Sequence, residues 1–118
     1  KDLYEKAEKA IYTEGATFLN VLAPCPRGWG YATEDLMKIN KLAADTCYWP
    51  LYEVVDGKYH ITYKPVKKLP VEEFLRPQKR FKHMFKPGNE WMIEEFQKEV
   101  DKRWQELLNL EEMTNIAQ

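Results

Sequence analysis

Cys25 is the residue of this 118-residue chain best placed to do chemistry. It stands in Leu22-Ala23-Pro24-Cys25-Pro26-Arg27-Gly28-Trp29-Gly30, between two prolines and directly after an apolar run. Each proline fixes its own φ and restricts the residue before it, so the thiol is presented on a stiff turn. Gly28 and Gly30 allow backbone angles or close approaches that other residues resist. A thiol held this way suits a metal or cluster ligand, which must keep its place through a reaction. It suits a plain tight turn equally well. Cys47 is the second cysteine of two. Beside Tyr48 and Trp49 at the end of an expected helix, it reads as a buried, inert thiol. The pair allows one disulfide, Cys25 to Cys47, but an intracellular chain of this size more often keeps such thiols reduced.

The histidines offer less. His60 with Glu53 as its orienting partner has the types of a general base, but nothing nearby supplies a nucleophile or a pocket. An exposed cross-strand pair is the better reading. His83 has no companion ligand and reads as a packed or surface histidine. Residues 64–86 form a basic segment, with Lys64, Lys67, Lys68, Arg76, Lys79, Arg80, Lys82 and Lys86 against only Glu72 and Glu73. Such a run could meet a phosphate-bearing ligand or an acidic partner, though a solvated face is commoner.

The elements that must position these residues follow from periodicity. Leu3, Ala7, Ala10 and Ile11 recur at helical spacing, so a helix is expected over 3–14, capped by Asp2 and stopped by Gly15. The run Phe18-Leu19-Asn20-Val21-Leu22 predicts a buried parallel strand over 16–23, which would deliver Cys25 to the carboxyl end of a sheet, where α/β proteins place ligands. Thr33 is expected to cap a helix with Glu34 and Asp35 in its first turn and Leu36, Ile39, Leu42 and Ala43 on its buried face. Over 49–63, Asp56-Gly57 is a two-residue hairpin turn. It pairs Val54 with Tyr59 and Tyr52 with Ile61 on one face, and Glu53 with His60 and Val55 with Lys58 on the other. In the basic segment Pro65, Pro70 and Pro77 leave an extended piece and a short helix anchored by Phe74, Leu75, Phe81 and Met84. After Pro87-Gly88-Asn89, a helix over 90–110 carries Ile93, Phe96, Val100, Trp104, Leu107 and Leu108 on one face. Residues 111–118 lack a pattern and should fray.

Composition excludes some classes. A net charge of -1 with a pI near 6.2 argues against general nucleic-acid binding, which usually needs a basic excess. No apolar run approaches the roughly 18 residues of a membrane span. The opening Lys1-Asp2-Leu3 has neither the apolar core of a signal peptide nor an initiator Met, so a cytoplasmic chain that is part of something longer is expected.

Read in order, the segments resemble a known family. Gly15-x-x-Phe18-Leu19-Asn20-Val21-Leu22-Ala23-Pro24-Cys25-Pro26-x-Gly28-Trp29, Ile39-x-x-Leu42-Ala43-x-x-Thr46, Trp49-Pro50-Leu51-Tyr52-Glu53, Tyr59-x-Ile61-Thr62-Tyr63-Lys64-Pro65, Pro70-Val71-Glu72-Glu73-Phe74-Leu75 and Arg80-Phe81-Lys82-His83 look like the C-terminal part of the β subunit of 2-oxoacid:ferredoxin oxidoreductases. The likeness is nearest the pyruvate-using branch, and relatives acting on 2-ketoisovalerate or 2-oxoglutarate share the loop.

The resemblance implies an α/β fold: the C-terminal portion of a thiamine-diphosphate-binding wound domain, followed by a β-hairpin and C-terminal helices. Residues 1–48 would be its last αβα segment with the cluster-ligand loop, and 49–118 a subunit-docking extension. It implies reversible conversion of pyruvate, CoA and oxidised ferredoxin to acetyl-CoA, carbon dioxide and reduced ferredoxin, by the full complex and not by this chain alone. It also implies Cys25 as one ligand of a 4Fe–4S cluster, which needs four thiolates. The remainder of the β subunit, which would also bind thiamine diphosphate and magnesium, supplies the other three. Arg27 and the amides around Gly28 would stabilise the negative cluster or meet a partner subunit. Expected partners are the remaining subunits and ferredoxin, with no nucleic acid and no membrane. The competing class is a non-enzymatic interaction domain that reuses this fold end.

Overall fold

The fold is organised around Phe74, whose ring is fully buried. The computed structural model describes residues 1–116. Phe74 lies in α4, Glu72–Leu75, and its ring stacks on Tyr48 at 4.4 Å and meets the edge of Trp29 at 6.1 Å. Tyr48 in turn stacks on Phe96 of the last helix at 6.0 Å. Such aromatic pairs add to the burial of apolar area that drives collapse. Ile39 and Ala43 close one side from α3, Leu36–Asp45. Tyr31, Cys47, Val71, Leu75, Met84 and Val100 complete the cluster. The segment between α4 and the last helix is a 3-10 turn, Lys79–Phe85.

Around this core sit α1, Asp2–Tyr12; α2, Pro26–Trp29; the hairpin strands β1, Leu51–Val55, and β2, Lys58–Tyr63; and α5, Glu90–Asn115. The hairpin has the expected register at every pair. Asp56 and Gly57 both take positive φ, +50° and +76°, as a type I′ turn demands. The anchors Phe74, Leu75 and Met84 are buried as expected, as is Cys47.

The predicted parallel strand over 16–23 does not form among the described residues. The segment pairs with nothing among the described residues, where the only sheet is the antiparallel β1–β2 hairpin. Phe18 is 88% exposed and Val21 53%. A parallel strand needs a ladder beside it and a layer on each face, and these residues provide neither. The described architecture is helices plus one two-stranded antiparallel sheet.

Four helix ends also differ. Asp2 opens α1 instead of capping it, because its carboxylate takes Lys6 Nζ at 2.7 Å and Thr62 Oγ1 at 2.5 Å; α1 ends at Tyr12 and buries no residue. Thr33 starts a 3-10 turn, Thr33–Asp35, that runs into α3 without a side-chain cap. Helix α5 runs five residues past the expected end at 110. Its last turns are held by the outer edge of β2: Glu111 Oε1 accepts from Ile61 N at 2.7 Å, Thr114 Oγ1 accepts from Tyr59 N at 3.0 Å, and Asn115 Nδ2 donates to Tyr59 O at 2.8 Å. An edge strand's free amides are thereby satisfied by a helix instead of water. Residues 117–118 of the expected fraying tail lie outside the described residues. No described helix is long and apolar enough to cross a membrane.

Candidate metal-ligating loop

The cysteine loop is built by its own backbone. Pro26 opens α2, where its missing N–H costs nothing. Cys25 O accepts from Trp29 N at 2.9 Å, and Pro26 O accepts from Gly30 N at 2.9 Å and Tyr31 N at 3.1 Å. Gly30 closes the turn in the left-handed region, φ +73°. It is also a point where the loop touches the rest of the chain: Lys79 N donates to Gly30 O at 2.9 Å, and a Cβ on Gly30 would lie 2.7 Å from Lys79 Cβ. At Gly28 a Cβ would reach 3.8 Å from Cys25 Sγ, so glycine keeps the space beside the sulfur open.

Both cysteines are free thiols, Cys25 exposed and Cys47 buried. Burial pushes the Cys47 thiol up to about 11, which leaves Cys25 as the thiol suited to bind a metal, because the thiolate is the ligand. No group of three or more His, Cys, Asp or Glu among the described residues can hold a metal ion. The donor set present fits one thiolate of a multi-cysteine site and not a site complete in itself.

Behind the loop stands a wall that the sequence did not reveal. The Arg80 guanidinium lies over the Trp29 ring at 3.8 Å and over Phe81 at 4.5 Å, a desolvated cation–π arrangement. Its Nε donates to Gln78 Oε1 at 2.7 Å, and Gln78, itself buried, donates from Nε2 to Phe74 O at 2.6 Å. Tyr31 meets Trp29 edge-on at 6.5 Å. Burial pushes the Tyr31 phenol above its ordinary value, with Cys25 adding to the rise and Arg80 opposing it. Burial also lowers Arg80, against the pull of Tyr48. The one signal for this wall was the pair of aromatics flanking Gly30.

The other candidates lie elsewhere. His60 sits opposite Glu53 in the ladder, but its Nδ1 is 3.6 Å from Glu111 Oε1 and Glu53 takes Lys9 Nζ at 2.5 Å. His83 is exposed in the 3-10 turn. Within the basic segment Lys64 pairs with Glu111 at 2.5 Å, Lys68 with Asp101 and Arg76 with Glu72, so much of its charge is neutralised inside the chain. Arg27 is exposed on α2.

No family model matches the chain. Among curated proteins it is 46% identical to pyruvate synthase subunit PorB of Thermotoga maritima, over 96% of this chain and 35% of that protein. It is 43% identical to pyruvate synthase subunit PorB of Methanocaldococcus jannaschii, over 87% of this chain and 33% of that protein. To ketoisovalerate oxidoreductase subunit VorB of Pyrococcus furiosus it is 41% identical, over 96% of this chain and 36% of that protein. The chain spans about a third of the length of these relatives and matches their C-terminal part.

Proposed function

We propose that this chain, a homologue of the C-terminal part of β subunits of 2-oxoacid:ferredoxin oxidoreductases, works inside such a multisubunit, cytoplasmic complex. There the complex converts a 2-oxoacid, CoA and oxidised ferredoxin to an acyl-CoA, carbon dioxide and reduced ferredoxin. The observation that carries this reading is homology over nearly the whole chain, joined to one exposed thiol on a loop tied at Gly30 to the 3-10 turn.

In this reading Cys25 is a ligand of a 4Fe–4S cluster beside thiamine diphosphate and magnesium, which the rest of the subunit binds. When bound, the cluster supplies one-electron steps toward ferredoxin. The chain's own task is mechanical and electrostatic. The bonds from Trp29 N to Cys25 O and from Lys79 N to Gly30 O hold the thiolate in place, and Gly28 leaves room around its sulfur. Trp29 seals the loop against Phe74 and keeps water from that side.

Pyruvate is the substrate this reading favours, from the two pyruvate synthase relatives; the VorB relative, 41% identical over 96% of the chain, supports 2-ketoisovalerate as the second reading. A panel of 2-oxoacids given to the intact complex, with CoA and a viologen acceptor, separates them. Preferred reduction on pyruvate supports the first and preferred reduction on 2-ketoisovalerate the second. No 2-oxoacid-dependent reduction would contradict both.

A further inference from the structure

The two edges of the hairpin end differently. On the outer edge of β2, Tyr59 N donates to Thr114 Oγ1, Ile61 N donates to Glu111 Oε1 and Tyr59 O accepts from Asn115 Nδ2. Residues that spend these groups on α5 occupy the positions of an antiparallel ladder whose N–H and C=O point away from the partner strand. Their ladder partners, Val54 opposite Tyr59 and Tyr52 opposite Ile61, therefore point theirs away from β2, out of the other edge of β1. Among the described residues no backbone group bonds to them there. The side chains beside this row, Tyr52 and Val54, are 42% and 47% exposed.

Such a row is a template for one kind of occupant, an extended chain that adds a strand. A second copy of β1 fits poorly. Antiparallel pairing about a two-fold axis at Glu53 sets like charges directly opposite, which is destabilising. An axis at Tyr52 sets Val54 against Pro50, which has no N–H to give, and one at Val54 sets Tyr52 against Asp56, whose φ of +50° has left the strand conformation. The hairpin also stands apart from the core, since no residue of β1 or β2 belongs to the buried cluster around Phe74. It is fastened by α5 along one edge and by α1 on one face, through Lys9 to Glu53 at 2.5 Å and Lys6 to Thr62 at 3.1 Å. The chain itself thus uses one edge and one face of an outlying arm, and leaves the remaining edge to a different chain.

We propose that the free edge of β1 is a docking site for an extended segment of another subunit of the complex, which adds a third strand by backbone hydrogen bonds to Tyr52 and Val54 and sets apolar side chains beside theirs. The inference rests on the multisubunit reading above and not on the role of Cys25.

The test uses the intact complex. Val54→Pro removes an N–H that the β1–β2 ladder does not use, and an edge strand tolerates proline facing that way. The expected result is a dissociation constant for the partner subunit raised about tenfold, the effect of one lost hydrogen bond. In the parent complex the amides of Tyr52 and Val54 exchange slowly with deuterium, and Tyr52→p-benzoylphenylalanine, on irradiation, cross-links to a segment of another subunit. Fast exchange at both amides overturns the inference, as does an unchanged dissociation constant in a folded Val54→Pro complex. A cross-link to residues 51–55 of a second copy, or to another part of the same β subunit, overturns it as well. If Val54→Pro does not accumulate, exchange and cross-linking decide. Failure of the proposed function looks different: no 2-oxoacid then reduces the viologen, while the cross-link between subunits persists.

Discussion

Gly30 and Lys79 meet backbone to backbone, with Lys79 N donating to Gly30 O at 2.9 Å and no room for a Cβ between them. This contact joins the cysteine loop to the 3-10 turn that carries Arg80. A side chain at residue 30 incurs both a left-handed backbone and a clash with Lys79. Gly30→Ala is expected to cost about 2–4 kcal/mol. Denaturant unfolding of the chain checks this; a loss under about 0.5 kcal/mol would show that the contact yields without strain.

Asp45 sets a pH dependence. Burial raises its pKa, but the hydrogen bonds from Lys41 Nζ at 2.6 Å and Tyr63 Oη at 2.5 Å outweigh that and hold it below the usual aspartate value of 3.8. The folded pKa lies below the unfolded one, so the stabilisation is full above about pH 5 and is lost as pH falls through the folded value. Thermal melts from pH 6 to pH 2 should show Tm falling on the acid side, and Asp45→Asn should flatten that fall. An unchanged acid slope in Asp45→Asn would assign the effect to Asp2, Asp101 and Glu111, which are lowered as well.

Glu111 secures the hairpin to α5. Removing its carboxylate leaves Ile61 N without its acceptor, at a cost of about 1–3 kcal/mol. Glu111→Gln keeps an acceptor and loses the carboxylate's charge toward the exposed Lys64 and His60, so it costs less than about 1 kcal/mol. Hydrogen exchange at the Ile61 amide should accelerate in Glu111→Ala and stay near the parent rate in Glu111→Gln. Equal rates in the two variants would contradict the edge-capping role.

The hairpin register was legible because Asp56-Gly57 supplies the only cheap route to two consecutive positive φ angles, and alternation did the rest. The buried face of α3 and the first turns of α5 were legible for the same reason, a period of 3.6 in apolar residues. The end of α5 was not, because Glu111, Thr114 and Asn115 are held by polar bonds to a strand edge, which leave no periodic trace. The run 16–23 carries a strong strand signal, but apolar content reports what a segment would bury and not whether a neighbour is there to bury it. Arg80 was hidden among seven other basic residues; only the fold reveals that this one turns inward onto Trp29.

The central claim is that Cys25, and not Cys47, is a cluster ligand. It is tested by counting iron and acid-labile sulfide per β subunit in the intact complex carrying Cys25→Ser or Cys47→Ala. The account predicts that Cys25→Ser lowers the count by the contents of one cluster, on the order of four irons and four sulfides, while Cys47→Ala, if assembled, retains them. Full iron and sulfide in the Cys25→Ser complex would contradict it.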